Sequence, residues 1–161
     1  MADRMGGKRR IEAGMKHLDR LITALGRLDW LPPLFARIVV GVVFIHSGWG
    51  KLHHLDGVIR FFASLGIPAP ELQAPFVASI EFFCGSLLFV GLAARFVSIP
   101  LIGTMVVAIL TAKRADLEGI NDLFNLSEFL FIPLLVWIVV CGAGRISLDR
   151  WIRRRCDMPL T

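Results

Sequence analysis

The chain contains no tyrosine and only three cysteines, and charged residues make up just 19% of its 161 positions. Cys84, Cys141 and Cys156 are odd in number and far apart, with no CxxC pair. A dithiol redox motif and a zinc knuckle are therefore excluded. No GxGxxG, P-loop, HExxH or GxSxG pattern occurs in a usable context, so nucleotide-binding and hydrolase readings have no anchor. There is no internal repeat, no low-complexity tract and no second domain. Met1 to Leu31 lacks both a 7–15-residue apolar core and an A-x-A site. It is expected to remain in the mature protein rather than be cleaved as a signal peptide.

What is abundant is apolar surface. Hydrophobic residues reach 55% and the mean hydropathy is +0.67. A soluble domain of this size has too little interior to hide so much. The charges crowd the two ends and leave long apolar stretches between them. A spanning helix needs about 20 residues. Spans are expected at about 34–52, 76–94, 96–112 and 126–142, giving one transmembrane domain over 32–144. The expected fold is all-α: a four-transmembrane-helix bundle with an N-terminal amphipathic interfacial helix. That helix, within 1–31, is read from Ile11, Met15, Leu18, Ile22 and Leu25, which share one face among basic residues. Residues 145–161 form a basic cytoplasmic tail. Cys84 and Cys141 fall inside apolar segments and read as small hydrophobes.

The net charge of +5 does not indicate nucleic acid, because the basic residues flank apolar segments, where anionic lipid headgroups lie. Met1–Leu31 holds seven Lys/Arg, Gly144–Thr161 five and the turn at Arg95 one, against three in the two other loops. The positive-inside rule then puts both termini in the cytoplasm of a multi-pass protein of the cell inner membrane. Trp30 and Trp49 are the candidate aromatic anchors of the first span. The connection His53–Ala74 carries a short amphipathic piece, Val58, Phe61, Phe62 and Leu65, ended by Gly66 and a Pro68/Pro70 pair. It is placed over the outer end of the bundle.

Four charged residues fall within or at the ends of the spans: Arg37, Lys51, Glu81 and Glu128. A charge at the centre of a spanning helix costs roughly 2.5–3.5 kcal/mol on insertion scales, so each needs a partner or a role. Arg37, Gly41, Phe44, Gly48 and Lys51 are spaced four, three, four and three apart and occupy one helical face. The glycines let another helix approach closely. Alternating span directions bring Lys51, Glu81 and Glu128 to the same outer depth. Lys51 is expected to pair with Glu81, Glu128 or both, in a small polar pocket. Pro133 leaves a carbonyl acceptor near that depth. Two readings stay open: a ligand-binding or proton-handling site, and an ion pair that only fixes helix register. Arg37 is a further ligand-binding or proton-handling candidate; its plainer reading, near the inner surface, is that it snorkels.

Histidine bears on cofactors. Of His17, His46, His53 and His54, only His46 lies within a span, and it points away from the Arg37–Lys51 face. A bundle-interior haem is disfavoured. The adjacent His53–His54 pair offers too few ligands for a metal.

The segments ARIVVGVVFIHSGWGKL, FFASLGIPAPE, SIEFFCGSLLFVGLAARF and GAGRISLD, in that order and spacing, resemble the DoxX family of small membrane proteins. The likeness covers roughly Arg37 to Asp149. Matching positions are Arg37, Gly41, Gly48, Lys51, Glu81, Gly91, Arg95, Gly144, Ser147 and Asp149. The resemblance implies a four-helix membrane bundle associated with redox systems, as a membrane subunit of a quinone-linked oxidoreductase or a partner of oxidative-stress enzymes. It supplies no catalytic residues. The leading expectation is a redox-system membrane protein, an accessory rather than an enzyme alone, with a quinone-like ligand near Lys51, Glu81 and Glu128. Lys51 would donate to a carbonyl oxygen and Glu81 would relay a proton. The alternatives are a non-catalytic scaffold that recruits partners through the basic arm, and a small-molecule or proton carrier. The carrier is disfavoured because four helices without a repeat leave little room for alternating access, unless the chain assembles as a homo-oligomer.

Overall fold

Leu31–His53 forms the first helix, α1, with Pro32 and Pro33 in its first turn, where the missing N–H groups would be unbonded anyway. The structure, a computed structural model, describes Thr23, Gly26, residues 28–112, Phe124 and residues 126–155. The amphipathic stripe expected from Ile11 to Leu25, the connection 113–123 and Cys156 lie outside the described residues. The chain falls into two units, Met1–Pro32 and Pro33–Thr161. The first includes a turn over 28–30, closed by the Leu31 amide on the Leu28 carbonyl at 2.9 Å.

The second unit is helical, without strands among its described residues. After α1 come α2 (Leu55–Ser64), α3 (Pro70–Val90), α4 (Ala94–Thr111), α5 (Ser127–Cys141) and α6 (Leu148–Arg155). α1, α3 and α4 run 23, 21 and 18 residues and are long and apolar enough to cross a membrane. α5 is apolar but has 15 residues, about 22 Å of helix against a hydrocarbon core of ~30 Å. The architecture is an all-helical membrane bundle in which three helices have full spanning length and the fourth is shorter than expected.

The boundaries differ from expectation mainly at α3. It begins at Pro70, six residues before the expected start at 76, and stops at Val90. Pro70 suits a first turn, and Pro75 sits early enough to cost few backbone bonds. Gly91 ends the helix with a left-handed backbone, φ +73°, its amide bonded to Leu88 and that of Leu92 to Leu87. This pattern closes the last turn of a helix on its own carbonyls.

α1 and α3 pack antiparallel through small residues. A Cβ on Gly41 would lie 3.0 Å from Phe89 Cα, and one on Gly85 2.8 Å from Phe44 Cβ. A Cβ on Gly48 would run into the backbone amide of Phe82 and lie 2.9 Å from the Ala78 carbonyl. Positions rise on α1 as they fall on α3, which fixes the register. In lipid, where burial of apolar surface gives helices no mutual attraction, such close backbone packing is what drives association.

The core draws Ala36, Val40 and Phe44 from α1 and Leu88 from α3 together with Leu101 and Met105 of α4 and Leu135 and Ile138 of α5. Phe44 meets Phe131 of α5 at 6.1 Å between ring centroids. Cys84 packs against this cluster, whereas Cys141 is exposed. Large apolar side chains such as Val42, Phe83, Phe96, Ile99, Leu110 and Val140 face outward. A soluble monomer rarely shows so much contiguous apolar surface; hydrocarbon accommodates it.

Candidate functional site

The glycine-set register of α1 against α3 brings Lys51, in the last turn of α1, opposite Glu81 in the middle of α3. Lys51 Nζ lies 2.5 Å from Glu81 Oε1. The second carboxylate oxygen accepts from Ser47 Oγ at 2.8 Å. Ser47 is one turn before Lys51, so a single helical face serves both oxygens. The Glu81 side chain is 2% exposed and that of Lys51 31%. A carboxylate so far from water is kept in place by charge-assisted bonds. Lys51–Glu81 is thus an ion pair inside the bundle.

Glu128 does not join that pair. It stands in the first turn of α5 and accepts from Ser127 Oγ at 3.0 Å. It nevertheless lines the same pocket as Lys51 and Glu81, of about 830 Å³. The pocket is walled by α2, α3 and α4 as well as the ends of α1 and α5. α2 and the residue that caps it turn Val58, Phe61, Phe62 and Leu65 towards it, the residues expected from sequence to form the apolar face of that segment. Gly66, with φ +71°, ends the α2 segment. Thr104, Gln73 and His54 add a few polar groups to a largely apolar lining. Its size and chemistry fit a small amphipathic molecule. Gly103 is part of the wall, and a Cβ there would meet nothing within 4 Å.

Arg37 lies at the opposite end of α1 and belongs to a different environment. The expectation that it snorkels is corrected: it is 2% exposed. Its Nη2 donates to the Ile146 carbonyl at 2.6 Å, because the segment after α5 folds back over it. That segment turns at Gly142 and Gly144, with φ +81° and +80°. Asp149 then holds the α3–α4 turn by accepting from the Ala93 amide at 2.8 Å, and its own amide donates to the Gly91 carbonyl at 3.2 Å. Ser147 Oγ accepts the Arg150 amide at 3.3 Å and starts α6.

His46 is exposed, as its position opposite the glycine face requires. His53 Nδ1 is 2.9 Å from the Trp49 carbonyl, and the Trp49 ring lies 4.1 Å from that of His53. No group of three or more His, Cys, Asp or Glu able to hold a metal occurs among the described residues. Two participants escaped the sequence reading. Ser47 gave no signal, because a serine in an apolar helix has no distinctive pattern. Asp149 did give one, as a position of the resemblance, without indicating its partner.

Comparison with known proteins identifies the family. The DoxX family model matches residues 33–114, just over half of the chain. "Putative oxidoreductase CatD" of Bacillus subtilis is 32% identical over 120 residues, covering 74% of this chain and 85% of that protein. "Uncharacterized membrane protein Rv3486" of Mycobacterium tuberculosis is also 32% identical, over 74% of this chain and 80% of its own length. "Inner membrane protein YqjF" of Escherichia coli is 24% identical over 80% of this chain and 98% of that protein. No solved structure matches. The matched segment takes in α1, α3 and α4, and with them both members of the ion pair, so the chain belongs to the DoxX family.

Proposed function

We propose that this membrane protein serves a redox system by holding a small ligand with a quinone-like polar head in the pocket beside Lys51, Glu81 and Glu128. The observation that carries the reading is the position of a buried, fully engaged carboxylate and its lysine on the wall of a largely apolar pocket of about 830 Å³. Ionisable groups within a membrane protein mark functional sites more often than packing needs them. Lys51, about a third exposed, can donate a hydrogen bond from its ammonium to a carbonyl oxygen of the ligand while the Glu81 carboxylate, held by Ser47, keeps that ammonium in place. Glu128 supplies a second acid on the far wall. The name of the Bacillus subtilis relative supports a redox setting. The basic termini favour an orientation with both ends cytoplasmic, which sets the pocket at the outer face.

The test is equilibrium binding of short-chain ubiquinone and menaquinone analogues to the full chain in nanodiscs. Lys51→Met and Glu81→Gln are expected to weaken binding at least tenfold. Gly103→Leu places bulk in the pocket wall without touching the ion pair and should lower affinity as strongly while leaving thermal unfolding unchanged. Wild-type affinity in all three variants removes the ligand and leaves the pair as a register device.

A further inference from the structure

We infer that the Arg37 end of the bundle is a binding site for a phosphate-bearing anion, whether the phosphodiester of an anionic lipid headgroup or free phosphate. A second pocket, of about 680 Å³, lies there between α1, the end of α3 and α6, separate from the one at Lys51. Arg37, Arg145, Arg150 and Arg154 line it, and among the described residues no carboxylate does. Arg37 is the deepest of them. It is 2% exposed, and of its guanidinium only Nη2 has a hydrogen bond, to a neutral carbonyl. Nε and Nη1 have no hydrogen-bond partner among the described residues. A buried guanidinium with two unbonded donors is costly. Asp149 is near enough to act on it electrostatically, and its carboxylate is engaged by the Ala93 amide.

The surroundings make room for that charge. Gly91 is bare where a Cβ would overlap Arg37 Nη1. α6 contributes Arg150 and Arg154 from one face, four residues apart. Arginine presents a planar fork of donors that matches phosphate oxygens. The remaining wall is apolar: Leu34, Phe89 and Trp151 stand beside the arginines, and Phe89 and Trp151 are exposed at 41% and 52%. A phosphate group with an attached acyl chain satisfies both halves of this lining; a bare phosphate satisfies the cationic half.

The full chain in neutral detergent is analysed by native mass spectrometry with phosphatidylglycerol and phosphatidylcholine, and by calorimetry with inorganic phosphate. Phosphatidylglycerol is expected to bind at least tenfold tighter than phosphatidylcholine. Arg37→Met and the double variant Arg150→Gln/Arg154→Gln should each reduce that preference at least fivefold. Binding of inorganic phosphate alone, lost in the same variants, upholds the site with a soluble anion. Wild-type binding in a folded Arg37→Met, or loss in the α6 double variant only, overturns it in favour of ordinary attraction between a basic helix and an anionic surface. If Arg37→Met does not fold, Arg37→Lys, which keeps the charge and loses the planar fork, takes its place: wild-type preference in a folded Arg37→Lys refutes the site, and a loss there as well as in the double variant upholds it. Quinone binding at Lys51 is independent of every arm.

Discussion

Gly48 of α1 lies against the backbone amide of Phe82 on α3, and this contact sets the height at which Lys51 meets Glu81. Phe82 is the residue after Glu81, and Lys51 is one turn beyond Gly48. A side chain at 48 would push the helices apart at the level of the ion pair.

Gly48→Ala should therefore destabilise the bundle by about 2 kcal/mol or more, the scale of overpacking a tight interface. Gly50, two residues on, has nothing within 4 Å of its Cβ position. Gly50→Ala is expected to be neutral or slightly stabilising, since alanine outranks glycine in a helix by roughly 1 kcal/mol. Denaturant unfolding of the two variants in the same detergent checks the contrast; equal losses would contradict the packing assigned to Gly48.

Removing the lysine alone strands a buried carboxylate. Lys51→Met should cost about 2 kcal/mol, below the 3–5 kcal/mol of a fully buried pair because Lys51 is partly exposed. In Lys51→Met/Glu81→Gln the charge is gone and Ser47 still has an acceptor, so the double variant should recover at least about 1 kcal/mol. A thermal-unfolding cycle that turns out additive would mean the two side chains do not interact in the bilayer.

Asp149 is a clamp on the α3–α4 turn. Asp149→Ala leaves the Ala93 amide unbonded and should cost about 1–2 kcal/mol, with Asp149→Asn milder because an amide oxygen still accepts. Ala93 has a left-handed backbone, φ +49°. Ala93→Gly relieves that strain but frees the unfolded chain, and its net effect is expected within about 0.5 kcal/mol of zero. Thermal unfolding of the three variants measures the order; Asp149→Ala as stable as wild type would refute the clamp.

Orientation can be read directly. Fluorescent-protein fusions at residue 161, active only in the cytoplasm, should fluoresce. Alkaline-phosphatase fusions after Ser64 should be active, since α2 follows the outward end of the first span. The reverse pattern would move the Lys51 pocket to the cytoplasmic side.

The helices and the buried face of α1 were legible because each depends on periodicity within one segment. Arg37, Gly41, Phe44 and Gly48 are all buried, as their spacing demands. The same reasoning misjudged Arg37 itself, because a snorkelling side chain is predicted from depth alone. The Ile146 carbonyl that receives it is more than 100 residues away. The early start of α3 was hidden by its two prolines, which read as breakers until both are seen to fall near the beginning of the helix.

From composition and local pattern come the apolar helices, their approximate limits and the short list of charges that need partners, since hydropathy and helical period act over a few turns. Which of those charges meet is a property of the assembled bundle. Lys51 takes Glu81 with Ser47, Glu128 keeps to the opposite wall, and Arg37 is covered by the segment after α5. Contacts between distant segments depend on how far two backbones can approach and at what offset, and glycines set that on α1 and α3.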